Sequence, residues 1–331
     1  MEKINIVLTN PLTEASKKEI TAVDPGAVNL IDINELSRRE YRGDAQAREE
    51  LSNILRKADV VYGGRLPADY LRRAPNLKWL QVTSAGVDRY LTPEFMQSNV
   101  TLTNVSGIHA TPIGEFVLAF MLMLAKRIPY AFEMKQKKEW GRYGASVLRG
   151  KTVGIVGLGH IGQEVARLSK AFGMNVIATR RHAKTMTKNR YADMILPSDW
   201  LPKLLTQSDY VVITLPLTDE TRSLFSSEQF RLMKETAYII NIGRGPIIDE
   251  PALICALREK QIAGAGLDVF SREPLPADSP LWDIPNVIMT PHVSGGQEDY
   301  EREANKIFCE NLKRFLAGRR LTNVVNKRLG Y

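Results

Sequence analysis

Residues 153–168 read VGIVGLGHIGQEVARL. An apolar run of strand length enters a loop holding Gly157, Gly159 and Gly162, and an amphipathic stretch of helix length leaves it. The G-x-G-x-x-G spacing alone is weak, because three glycines gather in many loops. Between a buried strand and a helix each glycine has a separate use. Gly157 permits the tight turn, Gly159 lets the backbone approach a pyrophosphate, and Gly162 lets the helix pack close on its strand. The amides of His160 and Ile161, at the start of that helix, then face the anion. A plain tight turn would explain the spacing but not its flanks, so a dinucleotide site is predicted.

The rest of the chain supports such a unit and asks for a second one. Short β-branched runs alternate with helix-length stretches throughout. The predicted strands are 4–8, 28–33, 58–64, 77–84 and 100–105, then 152–159, 175–179, 210–217, 237–243, 264–270 and 286–291. Strands alternating with helices imply right-handed crossovers and parallel sheets covered on both faces. At 331 residues and 44% hydrophobic the chain is long enough for two cores. Residues 111–128, TPIGEFVLAFMLMLAKRI, read as one helix with Thr111 as N-cap and Pro112 at its first position. It is apolar nearly all round, so both faces must be covered, by packing between the chain's own two domains or by a subunit interface, and a homodimer is the expected assembly.

Other classes fit less well. The longest apolar run, 116–125, is half the roughly 20 residues of a membrane span, and the start enters a strand with no leader pattern, so a soluble, cytoplasmic protein is expected. Two cysteines, Cys255 and Cys309, cannot make a disulfide framework, and no metal site is predicted. The net charge of +8 raises nucleic acid as a partner, but the basic residues are scattered among 37 acids rather than striped. No nucleic-acid or membrane partner is expected.

One basic pair is placed where it has meaning. Residues 176–184 read VIATRRHAK, and Arg180 lies 18 positions after Gly162. In dinucleotide folds the tip of the second strand, about 20 residues after the glycines, carries an acid for the ribose 2′-hydroxyl. A guanidinium there binds a 2′-phosphate through paired charge-assisted bonds. Thr179, Arg181 and Lys184 complete the predicted NADP rim. Solvated arginines that accept either NADP or NAD are the alternative.

Three further stretches end predicted strands, where ligands of open α/β sheets bind. NIGRGPIIDE (241–250), GLDVFSREPLP (266–276) and MTPHVSGG (289–296) each put one ionisable side chain beside glycine or proline. Those side chains are Arg244, Glu273 and His292. A base held by a carboxylate, with a guanidinium for an anionic substrate, is the chemistry they suggest. His109, His160 and His182 are assigned to backbone contact or solvent.

With GLGHIG, LPLTDETR (215–222), SAGVDRY (84–90) and GIHATPIGEF (107–116), these motifs resemble the D-isomer-specific 2-hydroxyacid dehydrogenases, in that family's order and over essentially the whole chain. The resemblance implies His292 as general acid/base, Glu273 as the holder of its tautomer, and Arg244 as the group that binds substrate carboxylate and polarises the carbonyl. It implies a carboxylate cradle at Ser84, Ala85 and Gly86. Asp268 would lie near the nicotinamide, Thr221 near the linking phosphates or ribose, and Leu215, Pro216, Ile242 and Gly243 beside the cofactor. Gly63 and Gly64 stand where many members have bulkier contacts, which suggests backbone donors and a roomy pocket.

The expected fold is α/β, two doubly wound parallel-sheet domains with a Rossmann cofactor domain (104–292) inserted into a flavodoxin-like substrate domain (1–103 and 293–331). A cleft between them would close over substrate. The expected activity is reduction of a small 2-oxoacid of glyoxylate or hydroxypyruvate type by NADPH. An NAD-dependent phosphoglycerate dehydrogenase, using Arg65, Arg73 or Arg89 for phosphate, is one rival. A non-catalytic, dinucleotide-sensing corepressor is another, though it would not need all of Arg244, Glu273 and His292.

Overall fold

The computed structural model describes residues 3–331, and the chain divides into two compact units. The first takes the chain up to Ile108 together with Gln297–Tyr331, and the second is His109–Gly296. In chain order the first unit has β1 (Ile4–Leu8), α1 (Glu14–Ala22), β2 (Val28–Asp32), α2 (Asn34–Tyr41), α3 (Ala45–Arg56), β3 (Val60–Tyr62), α4 (Tyr70–Arg73), β4 (Trp79–Gln81), α5 (Pro93–Gln97) and β5 (Thr101–Thr103). The five strands are parallel in the order β2-β1-β3-β4-β5. Side chains alternate across the sheet, so Val7, Val61 and Leu80 enter one core while Ile6, Leu8, Val60 and Trp79 enter the other.

The second unit runs α6 (Ala110–Ala125), α7 (Ile128–Lys137), β6 (Thr152–Val156), α8 (His160–Ala171), β7 (Asn175–Thr179), β8 (Met194–Leu196), α9 (Leu201–Gln207), β9 (Tyr210–Ile213), α10 (Ser227–Leu232), β10 (Tyr238–Asn241), α11 (Glu250–Arg258), β11 (Gly264–Leu267) and β12 (Val287–Met289). Its seven parallel strands are ordered β12-β11-β10-β9-β6-β7-β8. Order reverses between β6 and β9, the switch point at which such sheets bind ligands. Cores lie on both faces. The chain then returns to the first unit through α12 (Tyr300–Leu316), whose Phe308 stacks on Tyr62 with ring centroids 4.0 Å apart.

The units change over at 108/109 and 296/297, a few residues past the expected 103/104 and 292/293. The reason lies in what each connector bonds. Asn104 donates its amide to Asn323 O and its Nδ2 to Ala85 O, which keeps 104–108 with the first sheet. Val293 and Ser294 donate to the Asp268 carboxylate, which keeps 293–296 with the second.

The helix predicted at 111–128 is α6, which ends three residues earlier, and a second helix follows it. Helix α6 starts at Ala110 with His109 as its N-cap residue, so Thr111 is not the cap. Pro112 is tolerated one turn in because first-turn amides have no intrahelical acceptor. The helix stops at Ala125, Arg127 turns left-handed at φ 52°, and α7 restarts at Ile128. Much of the apolar surface of α6 is covered inside its own unit. Gly114 admits Glu164 and Leu168 of α8, and Phe120 lies over Gly266 of β11. Among the described residues no helix is long and apolar enough to cross a membrane.

Candidate active site

The carboxyl ends of β6 and β9 meet at the glycine loop. Gly157 has φ 104°, and a Cβ on it would stand 2.8 Å from Leu215 Cδ2. A Cβ on Gly162 would stand 2.3 Å from Gly157 O, so only glycine lets α8 pack this close. A Cβ on Gly159 would meet nothing within 4 Å, and the space over that residue is open. No side chain caps α8 and no acid lies in its first turn, so the positive end of its dipole, at His160 and Ile161, is uncompensated from within. These features fit a diphosphate.

Beside this loop, Thr179 ends β7 almost fully buried, and its Oγ1 accepts from Gly157 N at 3.3 Å. Thr179 therefore shapes the glycine turn and lies behind the expected phosphate rim. Arg180 follows it, exposed, and among the described residues no carboxylate holds its guanidinium. Arg181 pairs instead with Glu220 at 3.1 Å.

Arg244, Glu273 and His292 follow β10, β11 and β12, three adjacent strands. Buried Asn241 accepts from Gly243 N (3.1 Å) through Oδ1 and donates from Nδ2 to Arg244 O (3.0 Å), bracing the loop after β10. Arg244 Nη1 donates to Gly243 O at 2.8 Å. Glu273 Oε1 accepts from Phe270 N (3.0 Å), and its Oε2 lies 2.7 Å from His292 Nδ1. Both side chains stay accessible, His292 at 49% and Glu273 at 37%. With Nδ1 engaged, Nε2 is the nitrogen left for a reactant.

His292 has φ 54°, a conformation a non-glycine residue keeps only when its surroundings impose it. Asp268 imposes it. Its carbonyl accepts from His292 N at 2.8 Å. Its fully buried carboxylate accepts from Thr290 Oγ1 (2.6 Å), Val293 N (2.9 Å) and Ser294 N (3.0 Å). His109 packs its ring on Gly295 of the same turn. Burial, and then the charge of Arg244, hold His109 below the ordinary imidazole range.

A sequence model described as D-isomer specific 2-hydroxyacid dehydrogenase, NAD binding domain, matches residues 118–294. The chain belongs to this family. Glyoxylate reductase of Aeropyrum pernix is 36% identical over 293 residues, covering 84% of this chain and 86% of that one. D-3-phosphoglycerate dehydrogenase of Methanocaldococcus jannaschii is 33% identical over 329 residues, 98% of this chain but 59% of that longer protein. Among solved structures, an NADPH-dependent glyoxylate/hydroxypyruvate reductase of Sinorhizobium meliloti, in complex with NADP and sulfate, superposes with a TM-score of 0.80 at 28% identity, covering 99% of this chain and all of that one. As a D-isomer specific 2-hydroxyacid dehydrogenase the protein is an NAD(P)-dependent oxidoreductase acting on the CH–OH of 2-hydroxyacids.

Other positions read from the sequence have local partners in this 2-hydroxyacid dehydrogenase. Asp268, expected near the nicotinamide, holds with its carboxylate the turn that carries His292. Thr221 is expected at the phosphates or ribose. Its hydroxyl accepts from Thr218 N and donates to Pro216 O, both at 2.8 Å, closing the 216–221 loop upon itself. Leu215, half-buried, fills the gap between Gly157 and Gly243, Pro216 follows it in the chain, and Ile242 is buried.

The glycines of the first unit are not free donors. Gly63 N donates to Gln81 O and Gly64 N to Asn10 Oδ1, both at 2.9 Å. Nor is their surrounding roomy: a Cβ on Gly63 would stand 2.3 Å from Thr9 Oγ1, and one on Gly64 2.6 Å from the Tyr90 hydroxyl. The 83–88 loop does present donors. Ser84 Oγ donates to Gly86 O, and Asn104 Nδ2 to Ala85 O, which ties down carbonyls. Among the described residues no protein acceptor takes the amides of Ala85 or Gly86.

Proposed function

We propose that the protein is an NADPH-preferring reductase of a small 2-oxoacid, of glyoxylate or hydroxypyruvate type, giving the D-2-hydroxyacid. The observation that carries this reading is the Glu273–His292 contact of 2.7 Å, which engages Nδ1 and leaves Nε2 as the nitrogen for the reactant. A bound reduced nicotinamide supplies the hydride. As the carbonyl carbon gains that electron pair, His292 gives its Nε2 proton to the oxygen, and Glu273 stabilises and orients the ring. Arg244 holds the substrate carboxylate and polarises the carbonyl, work suited to a planar fork of donors. Ser84 with the amides of Ala85 and Gly86 forms the proposed carboxylate cradle of the first unit, whereas the amides of Gly63 and Gly64 are already engaged.

The cofactor preference rests on Arg180, which no carboxylate among the described residues engages. The similar Sinorhizobium meliloti enzyme is named NADPH-dependent. Of the three arginines that a phosphoglycerate reading could use, Arg73 is already taken, while Arg65 and Arg89 are exposed. The Arg73 guanidinium is 8% exposed and already paired with Glu40 (2.8 Å) and Asp69 (3.4 Å).

The test is absorbance at the reduced-nicotinamide band with a panel of 2-oxoacids, each run with NADPH and with NADH. Turnover of glyoxylate or hydroxypyruvate with NADPH is the expected result. Activity confined to 3-phosphohydroxypyruvate with NADH would replace this reading, and binding without turnover of any oxoacid would favour a sensor.

A further inference from the structure

We propose that Glu250 is a positioning residue for Glu273, and that Gly245 sets the register between the loops carrying Arg244 and Glu273. The proposal rests on the reading of His292 as proton donor. Glu250 is the first residue of α11, whose N-cap Asp249 accepts from Ala252 N at 3.1 Å. Its Oε2 accepts from Ser271 N at 3.1 Å. The preceding amide, Phe270 N, donates to Glu273 Oε1 at 3.0 Å, and Glu273 Oε2 meets His292. Two successive amides of one turn are thus held by two carboxylates. The bond inside the turn shapes it but cannot fix where it sits. The bond from Glu250 can, because it comes from a capped helix 21 residues away.

Gly245 closes the arrangement from the other side. A Cβ there would stand 1.9 Å from Phe270 C, 2.0 Å from Phe270 O and 2.5 Å from Ser271 N. All three are backbone atoms, so nothing flexible can yield. The loop that presents Arg244 and the turn that presents Glu273 therefore touch main chain to main chain, directly beside the amide that Glu250 holds. The simpler account of Glu250 is an acid favoured by the dipole of α11, which affects stability alone. Among the described residues the charged or titratable groups about the His292 turn include Glu273 with its neighbour Arg272, Asp268, Arg244 and His109.

The experiment compares pH profiles of kcat/KM and thermal melting for wild type, Glu250→Ala, Glu250→Gln and Glu250→Asp, with His292→Ala alongside. Glu250→Ala should lose ~10-fold in kcat, as outer partners of a working group do. Its pH profile of kcat/KM should change, because the Glu273 carboxylate no longer lies in line with the His292 ring. KM for NADPH should stay unchanged. Glu250→Gln should restore both kcat and the profile, since its Oε1 accepts the same bond. Glu250→Asp keeps the charge at the helix start but withdraws the oxygen, and should reproduce the changed profile even if Glu250→Ala folds poorly. A wild-type profile in Glu250→Asp and Glu250→Ala, or a Gln variant as impaired as Ala, overturns the proposal. If His292→Ala itself keeps its turnover, the underlying reading falls first.

Discussion

Arg180 and Arg181 are neighbours in sequence with different occupations, and the difference sets the first expectation. Arg181 is paired with Glu220, whereas Arg180 is held by no described carboxylate. Arg180→Asp should therefore reverse cofactor preference, costing ~2–4 kcal/mol, or roughly 30- to 1000-fold in kcat/KM for NADPH. Equal wild-type efficiency with NADH and NADPH would remove the basis for it. His292→Ala should lower kcat by ~10²–10⁴ and leave NADPH binding, read by fluorescence titration, nearly intact. These residues were legible in the sequence because glycines and prolines at strand ends announce them. What could not be read was the target of a polar side chain. Asp268 and Thr221 each sit in a telling motif, yet Asp268 accepts from the Thr290 hydroxyl and two amides of the His292 turn, and the Thr221 hydroxyl bonds neighbouring backbone. Gly63 and Gly64 looked like space and are instead close packing, since sequence shows a missing side chain but not what occupies its place.

At the scale of elements, periodicity and β-branching found eleven strands in the right places. They missed β8, because three residues inside ADMILPSD carry too short a pattern. They carried α6 past its end at Ala125 and left α7 unread, although Pro129 stands in the first turn of α7, two residues after the left-handed Arg127. One local device recurs and was invisible in advance: an aspartate just ahead of a strand accepts from an amide of the neighbouring strand. Asp59 takes Asn5 N (3.0 Å), Asp193 takes Val176 N (2.8 Å) and Asp209 takes Thr152 N (2.8 Å), and each pairs with a lysine. For Asp209, burial opposes ionisation, but the Thr152 amide and Lys234 outweigh it and hold the carboxyl below its ordinary value of 3.8. The sign follows from linkage. The contribution is whole above 3.8 and disappears as pH falls below that value. Asp209→Ala should therefore lower stability at neutral pH by ~1–3 kcal/mol, the cost of stranding a buried amide. The gap in Tm between variant and wild type should shrink as the buffer is taken well into the acid range. A gap independent of pH would assign the loss to packing.

At the scale of the whole molecule the apolar helix raised the question of assembly, and the structure moves the answer along the chain. Helix α6 packs on α8 and β11, so it no longer needs a partner as the whole expected segment did. Helix α7 has no buried residue. Phe132 is 57% exposed on it, and Trp140, in the irregular stretch that follows, is fully exposed. Large exposed apolar side chains gathered in one segment mark an interaction surface more often than scattered ones do. We propose that a second copy of the chain covers this segment, with the partly exposed Phe116 and Met123 of α6 as its margin. Sedimentation at micromolar concentration should give twice the 37.2 kDa of the chain. Phe132→Glu combined with Trp140→Glu should give the monomer, because a charge facing a partner's apolar surface loses its hydration without compensation. Neither residue is buried within the chain, so the double variant should retain the far-ultraviolet circular dichroism of the folded protein. A wild type that sediments at 37.2 kDa would leave α7 an exposed helix of a monomer, and a dimeric double variant would put the interface elsewhere.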